Sequence, residues 1–260
     1  MLEKDPIYRR NMDDAPRPVA VMARTLEIGH RIPLHVHRRG QLLYAVSGIM
    51  RVESAAAAWI VPPARGLWLP PQWPHSVTMR SHVEMRTIYI APSACDALPA
   101  QPLLAQISGL LRELILALLD EPVAYDEDGR GGIVARLVLA ELTRLSARRF
   151  EVPMPRDERA LRVARALLDD CAIAHDLDRW AEQAGASRRT LARLFRSETG
   201  LGFAEWRARL RAIDGLARLS DGASVADTAA AVGYASPSAF SAMIHRTLGG
   251  APRQLVHNPI

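Results

Sequence analysis

Within its last hundred residues the chain repeats itself at an offset of about 48 positions, and this repeat limits the fold more than any other feature. Ala181-x3-Gly185 recurs as Ala229-x3-Gly233, and a serine follows each glycine, Ser187 or Ser236, the second one residue later. Counted from each serine, large apolar residues stand at +4 (Leu191, Phe240) and around +8 (Leu194 and Phe195, then Ile244). A glycine closes each copy, Gly200 or Gly249. The alanine lets a second helix approach closely, and the first glycine suits the positive φ of a tight turn. The serine caps the next helix, with Pro237 at the first helical position, where proline is best tolerated. The +4 and +8 residues share one helical face, and the last glycine ends the helix. Each copy therefore predicts a helix-turn-helix.

Two hairpins packed only for stability would account for a single copy. Two matched copies, each offering a second helix with a polar outer face, point instead to double-stranded DNA. In the first copy that helix starts Ser187, Arg188, Arg189, Thr190 and continues to Arg193 and Arg196, against the single acid Glu198. Arginines on a helix in the major groove bond guanine edges or phosphates. For Arg196 a merely solvated basic face is the alternative. The second copy offers Ser236, Ser238, Ser241, His245 and Arg246, a set better suited to phosphate contact than to bidentate base reading.

The segments LDRWAEQAGASRRTLARLFRSETG, FAEWRARLRAIDGLARL and SVADTAAAVGYASPSAFSAMIHRTLGGAPRQL extend this pattern. From about Pro155 to Pro259 the chain resembles the DNA-binding domain of the AraC/XylS family of bacterial transcription regulators. The resemblance implies two helix-turn-helix units joined by a linker helix, whose apolar side would include Phe203, Trp206, Leu210 and Ile213. Both recognition helices would then enter successive major grooves, about 34 Å apart. Arg189 and Arg193 fall where the family reads bases. The second unit departs from the family, with Ala242 at a position often held by a base-reading arginine and Ile244 at a usual aromatic. The first unit is therefore expected to supply most of the sequence discrimination.

The N-terminal half reads differently. Gln41–Val46, Ile49–Glu53 and Glu84–Ile90 are strand-like runs, separated by Ser47-Gly48, Pro62-Pro63 and the turn from Pro70 to Pro74. Short strands with such turns predict a small barrel or sandwich. After Pro102 the pattern predicts helices. Leu103, Ile107, Leu110, Leu111, Leu114, Ile115 and Leu118 make one apolar face, and Ile133, Val134, Leu137, Val138, Leu142 and Leu145 make another. Tyr125–Gly132 is the expected loop between them. Pro153 and Pro155 interrupt the helical pattern. The expected fold class is α+β. It comprises a cupin-like sensor barrel over 1–100, a helical segment over 101–151 that supports dimerisation, and an all-α double helix-turn-helix domain over 155–260.

Gly29, His35, His37, Gln41 and Gly48, followed by Pro70, Gln72 and His75, resemble the two motifs of cupin barrels. Gln41 stands where a glutamate is usual, Gln72 where a glycine is usual, and Met79 where an asparagine is usual. Alternation puts His35 and His37 on one face, and His75 on a nearby turn completes a three-histidine set. Imidazoles bind zinc, iron, copper or nickel, so His35, His37 and His75 are candidate ligands for a divalent metal. The neutral Gln41 removes the negative ligand and counts against a metal, and a metal-free pocket that uses the histidines for hydrogen bonding is the alternative. His35, His37, Gln41, Tyr44, Trp68 and His75 are the candidate effector-pocket residues. Tyr44, Trp59, Trp68 and Trp73 could each line an apolar pocket or simply fill the barrel.

Hydrophobic content of 49% and charged content of 23% match globular chains and exclude disorder. The net charge of +5 is too diffuse to settle a partner. The longest aliphatic run, Leu110 to Leu119, is cut by Arg112 and Glu113 and falls short of the roughly 20 residues a membrane span needs. The charged N-terminus is no secretory signal, and Cys95 and Cys171 form neither a disulfide framework nor a zinc ribbon. The expectation is a cytoplasmic homodimeric regulator, activator or repressor, that binds promoter DNA and a small-molecule effector, with RNA polymerase as a further candidate partner and no membrane. No catalytic residue is assigned. The rival reading is a metal-dependent cupin enzyme with an accessory helical domain, favoured by the histidines and opposed by Gln41 and the repeat.

Overall fold

The computed structural model of the chain describes residues 12–145, 151–252 and 255. The charged stretch 1–11 and the last residues of the resemblance, 256–260, lie outside them. The strands are β1 (Val19–Leu26), β2 (Arg31–His35), β3 (Gly40–Ser47), β4 (Met50–Glu53), β5 (Ala57–Val61), β6 (Arg65–Leu69), β7 (His75–Met79), β8 (Val83–Ile90), β9 (Leu103–Gln106) and β10 (Glu151–Pro153). The helices are α1 (Gly109–Leu119), α2 (Arg130–Leu142), α3 (Glu158–Asp169), α4 (Leu177–Ala184), α5 (Arg188–Thr199), α6 (Phe203–Ser220), α7 (Val225–Ala231) and α8 (Pro237–Leu248). They form two compact units, residues 12–48 with 64–145, and residues 49–63 with 151–252 and 255.

In the first unit, β1-β8-β3-β6-β9 is an antiparallel sheet, and β2 pairs antiparallel with β7. Strand alternation sends Leu42 and Tyr44 to one face of the sheet and Gln41 to the other. The first face, with Trp68, Ile88 and Ile90, is buried against Leu111, Ile115 and Leu118 of α1 and Val138 and Leu142 of α2. This is the main core of the unit.

Three expectations for this region change. Residues 103–106 form strand β9 rather than the start of a helix, because a short apolar run fits both periods and the edge of β6 supplies the backbone partners. The helix starts only after Ser108, whose Oγ accepts from the Leu111 amide at 3.0 Å. The second helix begins at Arg130, so the expected loop ends at Gly129. Leu110, Ile133 and Leu137, placed on the expected apolar faces, are 56%, 50% and 46% exposed.

The second unit combines the strand trio β10-β5-β4 with the six helices α3–α8. Strand β10 occupies the stretch where prolines were expected to interrupt the helical pattern, and helix resumes only at Glu158. Strands β4 and β5 lie within the stretch expected to form the sensor barrel, yet Ile49, Ala58 and Ile60 share a core with Val152, Met154 and the helices. Trp206 Nε1 donates to the Pro153 carbonyl at 2.6 Å, and Arg209 Nε to the Glu151 carbonyl at 2.7 Å. Arg51 of β4, itself buried, pairs with Asp169 at the end of α3 at 2.8 Å. These contacts fasten the strand trio to the helices, with α6 as the central post.

Candidate functional site

The repeat becomes two helix-turn-helix units with matching landmarks. Ser187 Oγ accepts from the Thr190 amide at 3.1 Å and Ser236 Oγ from the Ala239 amide at 3.2 Å, so both serines cap their helices. Gly185 and Gly233 take φ values of +65° and +78°, the left-handed turn that leads into each second helix. Leu191, Leu194 and Phe195 of α5 are buried, as are Phe240, Met243 and Ile244 of α8. Linker helix α6 joins the two, burying Phe203, Trp206, Leu210 and Ile213. Phe195 packs edge-on to Phe203 and Trp206 at 5.2 and 5.3 Å. On the other side α6 meets α8 at Gly215, where a Cβ would lie 2.6 Å from the Phe240 ring. One continuous core therefore holds both second helices.

The outer faces carry the polar residues. Arg188, Arg189, Arg193 and Arg196 are exposed on α5 and Thr190 is half-buried. Arg188 pairs with Asp178 at 2.6 Å, and Arg196 with Glu205 at 3.2 Å and the Gly200 carbonyl at 3.3 Å. Among the described residues, Arg189 and Arg193 have no hydrogen-bond or ion-pair partner, so two guanidinium groups four residues apart point outward from one face. On α8, Ser238, Ala242, His245 and Arg246 are exposed, while Ser236 and Ser241 are half-buried. Ser236 already spends its oxygen on capping and lies 3.0 Å from Ser238 Oγ.

The histidines of the first unit meet as a cluster. His35, at the end of β2, is in register with His75, the first residue of β7, after an irregularity at Pro33. His37 lies just beyond β2 rather than within it, but keeps the alternation: Leu34 and Val36 are exposed while His35 and His37 turn inward. Ring centroids are 4.3 Å apart for His35–His75, 4.9 Å for His35–His37 and 5.9 Å for His37–His75. Gln72 holds the approach. It adopts φ of +62°, uncommon for a side-chain-bearing residue, and its amide donates to the His37 carbonyl at 2.8 Å. That left-handed turn brings the chain back so that His75 faces His35.

Each ring has an acceptor at Nδ1. It is the Pro33 carbonyl for His35 at 2.7 Å, the Trp73 carbonyl for His75 at 2.9 Å and the Asp13 carboxylate for His37 at 3.5 Å. A carbonyl can only accept, so Nδ1 carries the proton and Nε2 is left with a lone pair. Among the described residues, Nε2 of His75 and of His37 are buried and without a partner, as is Oε1 of Gln41. Such a buried group costs about 1–3 kcal/mol when nothing bonds it. Burial, and then the neighbouring histidines, hold His75 down to about 4 although its bond to Trp73 acts the other way. Burial and His35 likewise lower His37, against Asp13. Both are neutral rings near pH 7.

The remaining pocket candidates separate. Gln41 faces the histidine side, and its side chain hydrogen-bonds the Tyr89 hydroxyl, whose ring lies 5.1 Å from His37. Burial pushes Tyr89 up to about 12. Tyr44 and Trp68 do not join them. Trp68 is in register with Leu42 and, with Tyr44, lies on the helix-covered face, its Nε1 bonded to the Pro99 carbonyl at 2.7 Å. Their role is to fill that core. Tyr89 and Asp13 were not singled out from the sequence. The register of β8 against Gln41 places Tyr89, and Asp13 is brought in by buried Arg39, which donates to the carbonyls of Asp13 and Arg17.

Comparison with known proteins finds family matches in both halves of the chain. Residues 22–142 match the AraC-like ligand binding domain, and residues 180–258 match a helix-turn-helix domain. The chain is 30% identical over 224 residues to the HTH-type transcriptional regulator NimR of Escherichia coli (strain K12), covering 86% of this chain and 82% of that protein. The HTH-type transcriptional regulator RipA of Corynebacterium glutamicum is 35% identical over 100 residues, 38% of this chain and 30% of its own length. Among solved structures, apo ToxT K231A from Vibrio cholerae aligns over 92% of this chain and 97% of its own at 12% identity, with a TM-score of 0.40. That last likeness is too distant to guide the assignment of any residue.

Proposed function

Given that the chain belongs to the AraC/XylS family of transcription regulators, we propose that α5 and α8 engage double-stranded promoter DNA and that the histidine-lined side of the first unit receives a small effector. The observation that carries the DNA assignment is the outward pair Arg189 and Arg193, unpartnered among the described residues on a helix whose other face is locked into the core. Ser187, Arg188, Thr190 and Arg196 flank them. Arg188 and Arg196 need only exchange an exposed carboxylate for a phosphate. On α8, Ser236, Ser238, Ser241, His245 and Arg246 take the positioning role, contacting phosphates more than bases.

The exposed Leu110, Ile133 and Leu137 on α1 and α2 support a homodimer formed through that apolar surface. β4 and β5 lie inside the stretch that matches the ligand-binding domain, yet they share a core with α6. This supports effector occupancy being felt at the linker helix, through a differential affinity for two states. The role proposed for the first unit is binding rather than turnover, in a cytoplasmic regulator that acts on, or excludes, RNA polymerase. Among the described residues no helix is long and apolar enough to cross a membrane.

A gel shift of the full chain on DNA from upstream of its own gene tests the DNA assignment. Specific retention that weakens steeply with salt, and loses its sequence preference in Arg189→Ala and Arg193→Ala, is the expected result. Equal binding to unrelated DNA, or a preference unchanged by both substitutions, would overturn it.

A further inference from the structure

We infer that Arg211 of α6 is a positioning residue for DNA binding. It locks the second helix-turn-helix against the first, so that α8 meets the duplex in step with α5. This rests on the DNA contacts proposed above. Apolar packing holds both helix-turn-helix units on α6, with the Phe240 ring against Gly215. That attraction is non-directional, and on its own it sets the turn of one against the other only loosely. The two also meet directly, beside α6. A Cβ on Gly233, the turn glycine of the second, would lie 3.0 Å from the Ala172 backbone, in the loop between α3 and α4. It would lie 2.9 Å from Nη2 of Arg211, which stands one helical turn before Gly215 on α6.

The guanidinium fills this junction. Its Nε donates to the Cys171 carbonyl at 2.7 Å, and Nη2 donates to the Ala172 and Ile173 carbonyls at 3.4 and 3.5 Å. It also lies over the Tyr234 ring, 5.5 Å from the centroid. Tyr234 directly follows Gly233 and packs edge-on to Phe240 of α8, with 6.3 Å between ring centroids. One flat group therefore grips the loop that leads into the first helix-turn-helix and the turn of the second. Arg211 is only 9% exposed, and its charge cannot be shed. An apolar side chain of similar volume would fill the site without that desolvation cost. What the guanidinium adds is direction, a planar fork of donors with a face that stacks on an aromatic ring. Removing it leaves the two helix-turn-helix units joined but free to turn.

The test is a hydroxyl-radical footprint of the full chain on DNA from upstream of its own gene, together with the salt dependence of its affinity. In Arg211→Met, protection by α5 should stay while that by α8 fades, shortening the footprint by about 10 base pairs. The slope of log affinity against log salt should fall by about 0.9 for each phosphate contact that α8 loses. Adding Arg246→Ala to Arg211→Met should then change the slope no further. A variant that is merely less stable binds more weakly at every salt, with footprint and slope unchanged. Tyr234→Leu, at a half-buried turn position, should act as Arg211→Met does and keeps the test open if that variant fails to fold. Arg207→Met removes a neighbouring guanidinium that bonds the His175 carbonyl at 2.7 Å, and should leave the footprint at full length. A full footprint in both Arg211→Met and Tyr234→Leu, or equal shortening in Arg207→Met, overturns the role of Arg211 and leaves the DNA reading standing. A wild-type chain that protects no segment overturns both.

Discussion

Helices α5 and α8 begin at a capping serine, end at a left-handed glycine and bury three equivalent side chains, Leu191, Leu194 and Phe195 against Phe240, Met243 and Ile244. Their outer faces share nothing comparable. Where α5 shows Arg189, Arg193 and Arg196, α8 shows Ser238, Ala242 and His245. The buried positions answer to one core, in which a lost methylene leaves a cavity. The exposed positions answer only to whatever docks on them. A duplicated scaffold therefore leaves each copy free to differ on its outer face, here into a basic helix and a nearly neutral one.

The largest effects should show the two scaffolds to be equivalent. Phe195→Ala and Phe240→Ala should each cost about 3–5 kcal/mol, seen as similar losses in chemical denaturation of the full chain. A loss under about 1 kcal/mol for Phe240→Ala alone would mean that the second copy is not part of the common core.

Next come the substitutions that should separate the copies. Arg189→Ala and Arg193→Ala should each cost about 1–3 kcal/mol of specific binding, measured against competitor DNA of altered sequence, while Ser238→Ala and His245→Ala change the preference little. Comparable losses in both helices would break the reader-and-positioner division. Ala242→Arg restores an arginine to the open face of α8 and should strengthen binding by roughly tenfold or less, with new sequence preference at the second half-site. An unchanged footprint would show that α8 does not approach base edges. The smallest effect belongs to Arg246→Ala, which should lower the slope of log affinity against log salt by about 0.9 and leave sequence preference intact.

Local rules account for what was readable beforehand. Serine caps, turn glycines and the +4 and +8 apolar positions act within one or two helical turns, so spacing alone located both hairpins, while the family resemblance supplied the apolar side of α6. Residues 103–106 escaped because a short apolar run fits a helix and a strand equally, and only the waiting edge of β6 chose between them. Tyr44 and Trp68 stayed open between pocket and core for a related reason. Aromatic residues in a strand belong to a pocket or to a packed face according to register and to what covers the sheet, and here α1 and α2 cover it. Asp13 carried no signal, since its place beside His37 depends on Arg39 gathering a segment more than twenty residues away.

The repeated helix-turn-helix, its arginine-bearing outer face and three histidines spaced to share a side can all be read along the chain. Those properties are written in short periods and in single residue types. Tertiary structure decided which polar groups stay available. It paired Arg188 and Arg196 with carboxylates while Arg189 and Arg193 stayed open, turned Tyr44 and Trp68 away from the histidines, and assigned β4 and β5 to the core of the DNA-binding helices. Partnership and burial depend on residues distant in the chain, and long-range packing alone brings those together.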